Sequence, residues 1–166
     1  MAIQMLERNL ASWPGLRGRA LRYVLLRHTL TPQNSHYDLM LELRPGRGSS
    51  ARTLWGLQRP DLPQRRSGKV RWKTHGMHGR RYLTLEGYIG NGRGAVERVD
   101  RGHYVVRLGG GRLTLAITGT VLCGRFSLKR AARGVLMWVR LPEADDIAAA
   151  RVQKAAMGER DHGKIS

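Results

Sequence analysis

His28, His36 and Asp38 are the residues of this sequence best suited to hold a metal ion. His36 and Asp38 stand two positions apart in the alternating segment His-Tyr-Asp-Leu-Met-Leu-Glu-Leu, and His28 lies eight positions before His36. Side chains two positions apart on a β-strand share a face, so His36 and Asp38 would point away from the leucines between them. Two imidazoles and a carboxylate suit Mn²⁺, Fe²⁺ or Zn²⁺ and leave coordination positions open for substrate. The alternative is a solvated polar pair, which is the commoner role of a single His-x-Asp.

A turn between two predicted strands is expected to bring His28 to the other two groups. His28 ends an apolar segment, and the following residues 29–35 include Pro, Gln, Asn and Ser. These residues are typical of a tight connection between strands. Two antiparallel neighbours would therefore place His28 beside His36.

The rest of the sequence favours an all-β, mainly antiparallel fold, a barrel or a sandwich in a single domain, with a short N-terminal helix and a C-terminal helix. Short β-branched, aromatic and aliphatic segments alternate with Gly and Pro. Trp55, Trp72 and Trp138 fall in such segments and are predicted to lie in the core, with base stacking as the alternative for one of them. The predicted strands are residues 22–27, 36–43, 53–57, 69–74, 81–89, 95–100, 104–108, 112–117, 124–129 and 136–140.

The ends of the chain are predicted to be helical over residues 3–11 and 143–157, the second with acidic residues in its first turn. This divides the chain into a basic helical segment 1–20, a barrel domain 21–141, and a helix and tail 142–166. Between two predicted strands lie Gly87, Gly90, Gly92 and Gly94, which predict either a tight bend or a phosphate-binding loop of backbone amides.

The charge of the chain predicts a polyanionic partner. Thirty Lys and Arg residues against 12 Asp and Glu give a net charge of +18, which favours nucleic acid over an acidic membrane surface. A single Cys123 excludes a disulfide framework and a multi-cysteine zinc site. Residues 1–20 lack the features of a secretory signal, so we expect a cytoplasmic protein. The expected nucleic-acid partner suggests that it is nucleoid-associated. We also expect a monomer without membrane contact. An organellar transit peptide is the alternative.

Taken together, these motifs resemble the 3′-phosphoesterase domain of bacterial DNA ligase D, a family that also occurs as stand-alone proteins. The family has a strand ending in His, then His-Tyr-Asp, a Trp-bearing strand, a His followed four residues later by Tyr, and a Gly-rich turn. The matching segments are Val24-Leu-Leu-Arg-His28, His36-Tyr-Asp-Leu-Met-Leu-Glu42, Leu54-Trp55-Gly56, His78-Gly-Arg-Arg-Tyr82 and Gly92-Arg-Gly94.

The resemblance implies a Mn²⁺-dependent β-barrel enzyme that trims DNA 3′ ends during break repair by non-homologous end joining. It would remove a terminal ribonucleoside or a 3′-phosphate and leave a hydroxyl for a DNA polymerase or ligase. By the same resemblance His28, His36 and Asp38 would bind the metal, and His78 and Tyr82 would contact the scissile phosphate.

One position departs from the family pattern at the site itself. The family has Arg where this chain has Met40, and a thioether cannot hold a phosphate as a guanidinium does. Arg80, Arg81, Arg27 and Arg93 are therefore candidates for the phosphate-binding cation. Glu42 and Glu86 are predicted either to orient the metal-binding imidazoles or to pair with nearby arginines.

Two other functions compete with the phosphoesterase. His36 and Asp38, with His103 and Arg112 downstream, imitate the ligand spacing of iron- and 2-oxoglutarate-dependent oxygenases. A non-catalytic nucleic-acid-binding barrel that keeps its metal site is the second alternative, and Met40 favours it. The two enzyme readings differ in whether His28 or His103 completes the metal site.

Overall fold

The alternating segments of the chain form the strands of an antiparallel barrel. The computed structural model describes residues 18–43, 52–64, 67–109 and 112–143. The strands are β1 Ala20–Thr31, β2 Asn34–Glu42, β3 Arg52–Arg59, β4 Lys69–Gly79, β5 Gly87–Tyr88, β6 Ala95–Gly109, β7 Arg112–Thr118, β8 Gly124–Ala132 and β9 Val135–Arg140.

Eight of these strands close on themselves in the order β1-β2-β3-β4-β9-β8-β7-β6, because β6 also pairs with β1. The short β5 adds to β6 outside this ring. The all-β, antiparallel barrel predicted from the sequence is thus confirmed. The helices predicted over residues 3–11 and 143–157 lie outside the described residues, except for Glu143, which is not helical.

The strand β6 corrects the prediction of two separate strands at 95–100 and 104–108. It runs unbroken for 15 residues, and its first part pairs with β1 while its last part pairs with β7. Gly102 lies inside the strand, where an added Cβ would come within 2.0 Å of the Thr118 carbonyl oxygen. The glycine therefore permits a close backbone approach, which is a common reason for Gly within a strand.

The strand predicted over residues 81–89 is also wrong. This segment holds a single 3₁₀ turn, Arg80–Leu83, followed by the two-residue β5. Its apolar residue Leu83 is buried against the outside of the barrel rather than within the sheet. The segment therefore covers the outer surface, which an alternating sequence pattern cannot distinguish from a strand.

The inner face of the barrel forms the main core and contains the predicted tryptophans. Trp55, Trp72 and Trp138 are each at most 1% exposed, which confirms their assignment to the core. The Trp138 ring lies 5.5 Å from that of Trp72 and 5.8 Å from that of Phe126. Side chains therefore fill the inside of the barrel, and a functional site is expected on its outer face.

A smaller apolar cluster lies on the outside of β1, β2 and β3. Leu39 and Leu41 of β2 join the inner core, so the alternate residues Asp38, Met40 and Glu42 face outward. Met40 packs there with Val24, Leu26, Leu54 and Leu83, next to a partly buried Tyr82. This cluster supports the floor of the candidate site.

The described residues contain no helix long and apolar enough to cross a membrane.

Candidate metal and phosphate site

The register between β1 and β2 brings the three predicted metal ligands together on the outer face of the barrel. His28 pairs directly with His36, and Leu26 pairs with Asp38. The Asp38 Oδ2 atom lies 3.5 Å from His28 Nδ1 and 3.3 Å from His36 Nε2. One ligand atom from each residue lies within 4.8 Å of the others. The hairpin predicted from residues 29–35 therefore produces a cluster that one ion could bridge.

The Asp38 carboxylate gives an independent reason to place a cation here. The residue is 6% exposed, and its Oδ1 atom is buried without a hydrogen-bond partner. A buried carboxylate oxygen without a partner is costly, and a bound cation would satisfy it. Two imidazoles and one carboxylate also match the donor set of Mn²⁺, Fe²⁺ or Zn²⁺. The residues present thus fit a divalent metal.

The ring of His28 is held in the orientation that metal binding requires. Its Nε2 atom lies 2.6 Å from the backbone carbonyl oxygen of Arg93. Because a carbonyl oxygen only accepts hydrogen bonds, Nε2 carries a hydrogen, and Nδ1 is the ring nitrogen that faces Asp38. Such contacts to the second ring nitrogen orient metal-binding histidines in known sites.

The glycine cluster forms the bend that carries this carbonyl group to His28. The Ile89 amide donates to the Gly94 carbonyl over 2.9 Å, and the Arg93 amide donates to the Gly90 carbonyl over 3.0 Å. Gly94 has a φ of +77°, and a Cβ there would lie 2.0 Å from the Thr29 carbonyl oxygen. Only glycine fits between this bend and β1. The bend therefore fixes the position of a ligand.

His78 and Tyr82 lie next to each other on the outer face of the barrel, where Tyr82 packs against the outer apolar cluster and the charge of Asp38 acts on His78. Their rings meet edge to face at a centroid distance of 5.4 Å, and His78 Nε2 lies 3.0 Å from the His75 carbonyl oxygen. Burial lowers the pKa of His78, although the His75 carbonyl and the Asp38 charge act in the opposite direction. His78 is therefore neutral near pH 7, with Nδ1 free to accept a proton. The His75 ring stacks on the His78 ring, with 5.3 Å between the ring centroids.

Each of the four candidate phosphate-binding arginines has a contact within the protein. Arg27 pairs with Glu97, and the Arg80 guanidinium lies 3.8 Å from Glu42. Arg81 lies over the Tyr82 ring, and the Arg93 side chain donates to the Ile89 carbonyl. Among the described residues, none of these four arginines pairs with Asp38.

The two candidate orienting carboxylates are partners of arginines. Glu42 is buried and receives hydrogen bonds of 2.7 and 3.0 Å from the Arg22 guanidinium. Burial alone would raise the pKa of Glu42, but its hydrogen bonds and ion pair with Arg22 lower it below the usual range. Glu86 pairs with Arg98 on the surface. Both residues therefore make the arginine contacts that were one of their two predicted roles.

Met40 occupies the place of the family's arginine as part of the outer apolar cluster. It is 1% exposed and lies between Val24 of β1 and Gly56 of β3. A buried thioether brings no charge to a phosphate. The cation of the family pattern is therefore missing at this point of the site.

His103 does not join the metal ligands. It pairs with Arg22, which lies six residues before His28 on the same strand. At about 3.3 Å per residue, this separation is about 20 Å. The oxygenase-like ligand set with His103 is therefore not assembled, and His28 is the histidine that meets His36 and Asp38.

Gly56 controls the position of the His78 ring, and its replacement by Ala tests this. A Cβ at residue 56 would lie 2.6 Å from Cδ2 and Nε2 of His78. We expect G56A to move the ring and to lower the free energy of unfolding by about 1–3 kcal/mol through overpacking. Urea unfolding of G56A, H78A and the double variant measures the coupling between the two residues. The double variant should be as stable as H78A; simple additivity of the two losses would show that the ring is not in contact.

Comparison of the chain with protein-family models and with curated proteins finds no match. The geometry of the site, with the motif resemblance, therefore carries the functional interpretation.

Proposed function

We propose that this protein is a divalent-metal-dependent phosphoesterase that processes the 3′ ends of DNA. The observation that carries the proposal is the convergence of His28, His36 and Asp38 within 4.8 Å, together with the buried, unpartnered Oδ1 of Asp38. The preference for Mn²⁺ and for 3′ ends comes from the motif resemblance, and the net charge of +18 suits a DNA substrate. In this proposal the products serve a DNA ligase and polymerase in break repair.

The residues divide the chemistry between them. His28 Nδ1, His36 Nε2 and the Asp38 carboxylate would hold the ion, whose charge would polarise a phosphoryl oxygen. In this proposal His78 would accept a proton from an attacking water, and the Tyr82 hydroxyl would donate to a non-bridging oxygen without adding charge. As water would add to phosphorus, the bond to the 3′ oxygen would break and the proton taken up by His78 would pass to that oxygen, which yields a 3′-hydroxyl and inorganic phosphate.

The direct test uses a labelled primer annealed to a template and ending in a 3′-phosphate or in a single 3′-ribonucleotide. We expect conversion to a 3′-hydroxyl end in the presence of Mn²⁺ and none after chelation. Gel mobility and mass spectrometry of the primer distinguish the products. Absence of conversion with Mn²⁺, Fe²⁺ and Zn²⁺ alike would contradict the proposal.

A non-catalytic nucleic-acid-binding barrel is the second candidate, and the burial of Met40 favours it. Met40 brings no charge where the family pattern has an arginine, and in the described part of the chain none of the four candidate arginines pairs with Asp38. Tight DNA binding without any conversion of the 3′ end would select this function.

A further inference from the structure

A basic groove lies where β3, β4 and the β8–β9 hairpin meet, two strands from the metal ligands. Its volume is about 310 Å³, and it is lined by the ends of β3 and β4 and by the β8–β9 hairpin. The cations in its wall are Arg59, Arg71, Lys73 and Arg133. We refer to this feature as the basic groove.

The basic groove is continuous with the metal site through the pairing of the strands. Asp38 of β2 pairs with Gln58 of β3, Gln58 pairs with Lys73 of β4, and Lys73 pairs with Val135 of β9. Directly paired residues share one face of the sheet. At about 4.8 Å per strand, Lys73 lies about 10 Å and Val135 about 14 Å from Asp38. The groove thus begins beside the cluster and leads away from it.

The positive charge of the groove is not neutralised by the fold. In the described part of the chain, Arg71, Lys73 and Arg133 form no ion pair. The Nε atom of Arg59 is buried and has no hydrogen-bond partner, while its guanidinium lies over the Trp72 ring at 5.7 Å. Burial lowers the pKa of Arg59, whereas the nearby negative charge of Asp61 raises it. Asp61 is therefore an acidic residue whose charge acts on the groove.

A second pocket on the outer face provides a contrast. It has a volume of about 370 Å³ and is lined by Arg22, Arg98, Arg101 and His103, among others. There Arg22 is bound to Glu42 and Arg98 to Glu86. Two of its arginines are therefore paired with carboxylates, whereas Arg71, Lys73 and Arg133 of the basic groove form no ion pair within the described ranges.

We propose that the basic groove binds the phosphodiester backbone of the nucleic-acid strand whose 3′ end enters the metal site. The placement of that end rests on the function proposed above. A separation of 10–14 Å corresponds to about three to four nucleotides at 3.4 Å each. Arg71, Lys73 and Arg133 would bind phosphates upstream of the reacting end, and exposed guanidinium and ammonium groups suit such contacts.

The test compares two triple variants that lose the same charge. R71Q/K73Q/R133Q removes the cations of the groove, and R107Q/R112Q/R125Q removes exposed arginines of β6, β7 and β8. The probe is a 5′-fluorescein-labelled single-stranded 12-nucleotide DNA with a 3′-hydroxyl, and binding is followed by fluorescence anisotropy between 0.05 and 1 M salt. Thermal unfolding verifies that both variants fold.

The groove variant should lose about two units from the slope of log K against log salt concentration, since each phosphate contact contributes ~0.7. If affinities converge at 1 M salt, this corresponds to about hundredfold weaker binding at 0.1 M. The control variant should keep nearly the wild-type slope. Equal losses in the two variants, or wild-type binding by the groove variant, would overturn the proposal.

A nucleoside 3′-phosphate separates this inference from the proposed function, because it is too short to reach the groove. Its Mn²⁺-dependent hydrolysis should be unchanged in the groove variant, and a loss there would count against a groove that only binds the strand. A wild-type protein that binds DNA through the groove but hydrolyses neither substrate would overturn the phosphoesterase and leave the binding surface intact.

Discussion

Replacement of Asp38 by Asn is expected to abolish specific Mn²⁺ binding and, with it, release of phosphate from 3′-phosphorylated DNA. Asp38 brings the negative charge to a cluster whose other members are the two imidazoles of His28 and His36. Loss of a group that merely orients a metal ligand costs about 10–100-fold in affinity or activity. Removal of the charged ligand itself should therefore cost at least about a hundredfold in both.

Electron paramagnetic resonance of free Mn²⁺ gives the affinity, and a phosphate-release assay gives the activity. At a Mn²⁺ concentration of 100 times its Kd, the wild-type protein should gain about 2.7 kcal/mol of stability, whereas D38N should gain none. For the Mn²⁺ affinity and the gain in stability, the matched control is Asp61→Asn, the same change at an exposed residue. Mn²⁺ binding by D38N with wild-type affinity would show that the ion is held elsewhere.

Replacement of Asp100 by Asn is expected to produce the largest loss of stability. Asp100 is buried, and its Oδ2 atom accepts hydrogen bonds from the Tyr23 hydroxyl and from the amides of Val121 and Leu122 at 2.8–3.0 Å. Its Oδ1 atom accepts from the Thr120 amide over 3.1 Å. An Asn side chain would turn an NH₂ group towards donors, which leaves a buried donor without a partner. The expected loss is about 3 kcal/mol or more.

Tyr23→Phe provides the graded comparison, because it removes one of these hydrogen bonds and keeps the ring. Its expected cost is about 1–1.5 kcal/mol. Burial, followed by the hydrogen bond and charge of Asp100, raises the pKa of Tyr23, so its hydroxyl remains a donor throughout the accessible pH range. Urea unfolding measures both variants. A D100N protein within about 0.5 kcal/mol of the wild type would refute this account of how the β1–β6 contact and the 120–122 turn are joined.

The face of each residue in β2 was predictable, because alternation in a half-buried strand follows directly from the pleat. Tyr37, Leu39 and Leu41 pack on the inner core, while His36, Asp38 and Met40 lie outside, as the sequence pattern indicates. A turn-forming segment between two such strands was enough to predict that His28 would meet His36.

Other features of the site were not predictable, because they depend on backbone groups or on the way in which separate segments pack. The carbonyl of Arg93 that orients His28 is a backbone group, so any amino acid at position 93 would supply it. Leu83 packs on the outer apolar cluster, and the alternating pattern of the strands does not predict this contact. The pairing of Arg22 with Glu42 depends on register, so sequence could not choose between the two roles of Glu42.

The most direct test of the central claim, that His28, His36 and Asp38 form a metal centre, is anomalous scattering from crystals grown with Mn²⁺. The account predicts an anomalous peak within bonding distance of His28 Nδ1, His36 Nε2 and the Asp38 carboxylate. A structure with Mn²⁺ in the solution but no peak between these three side chains would contradict it.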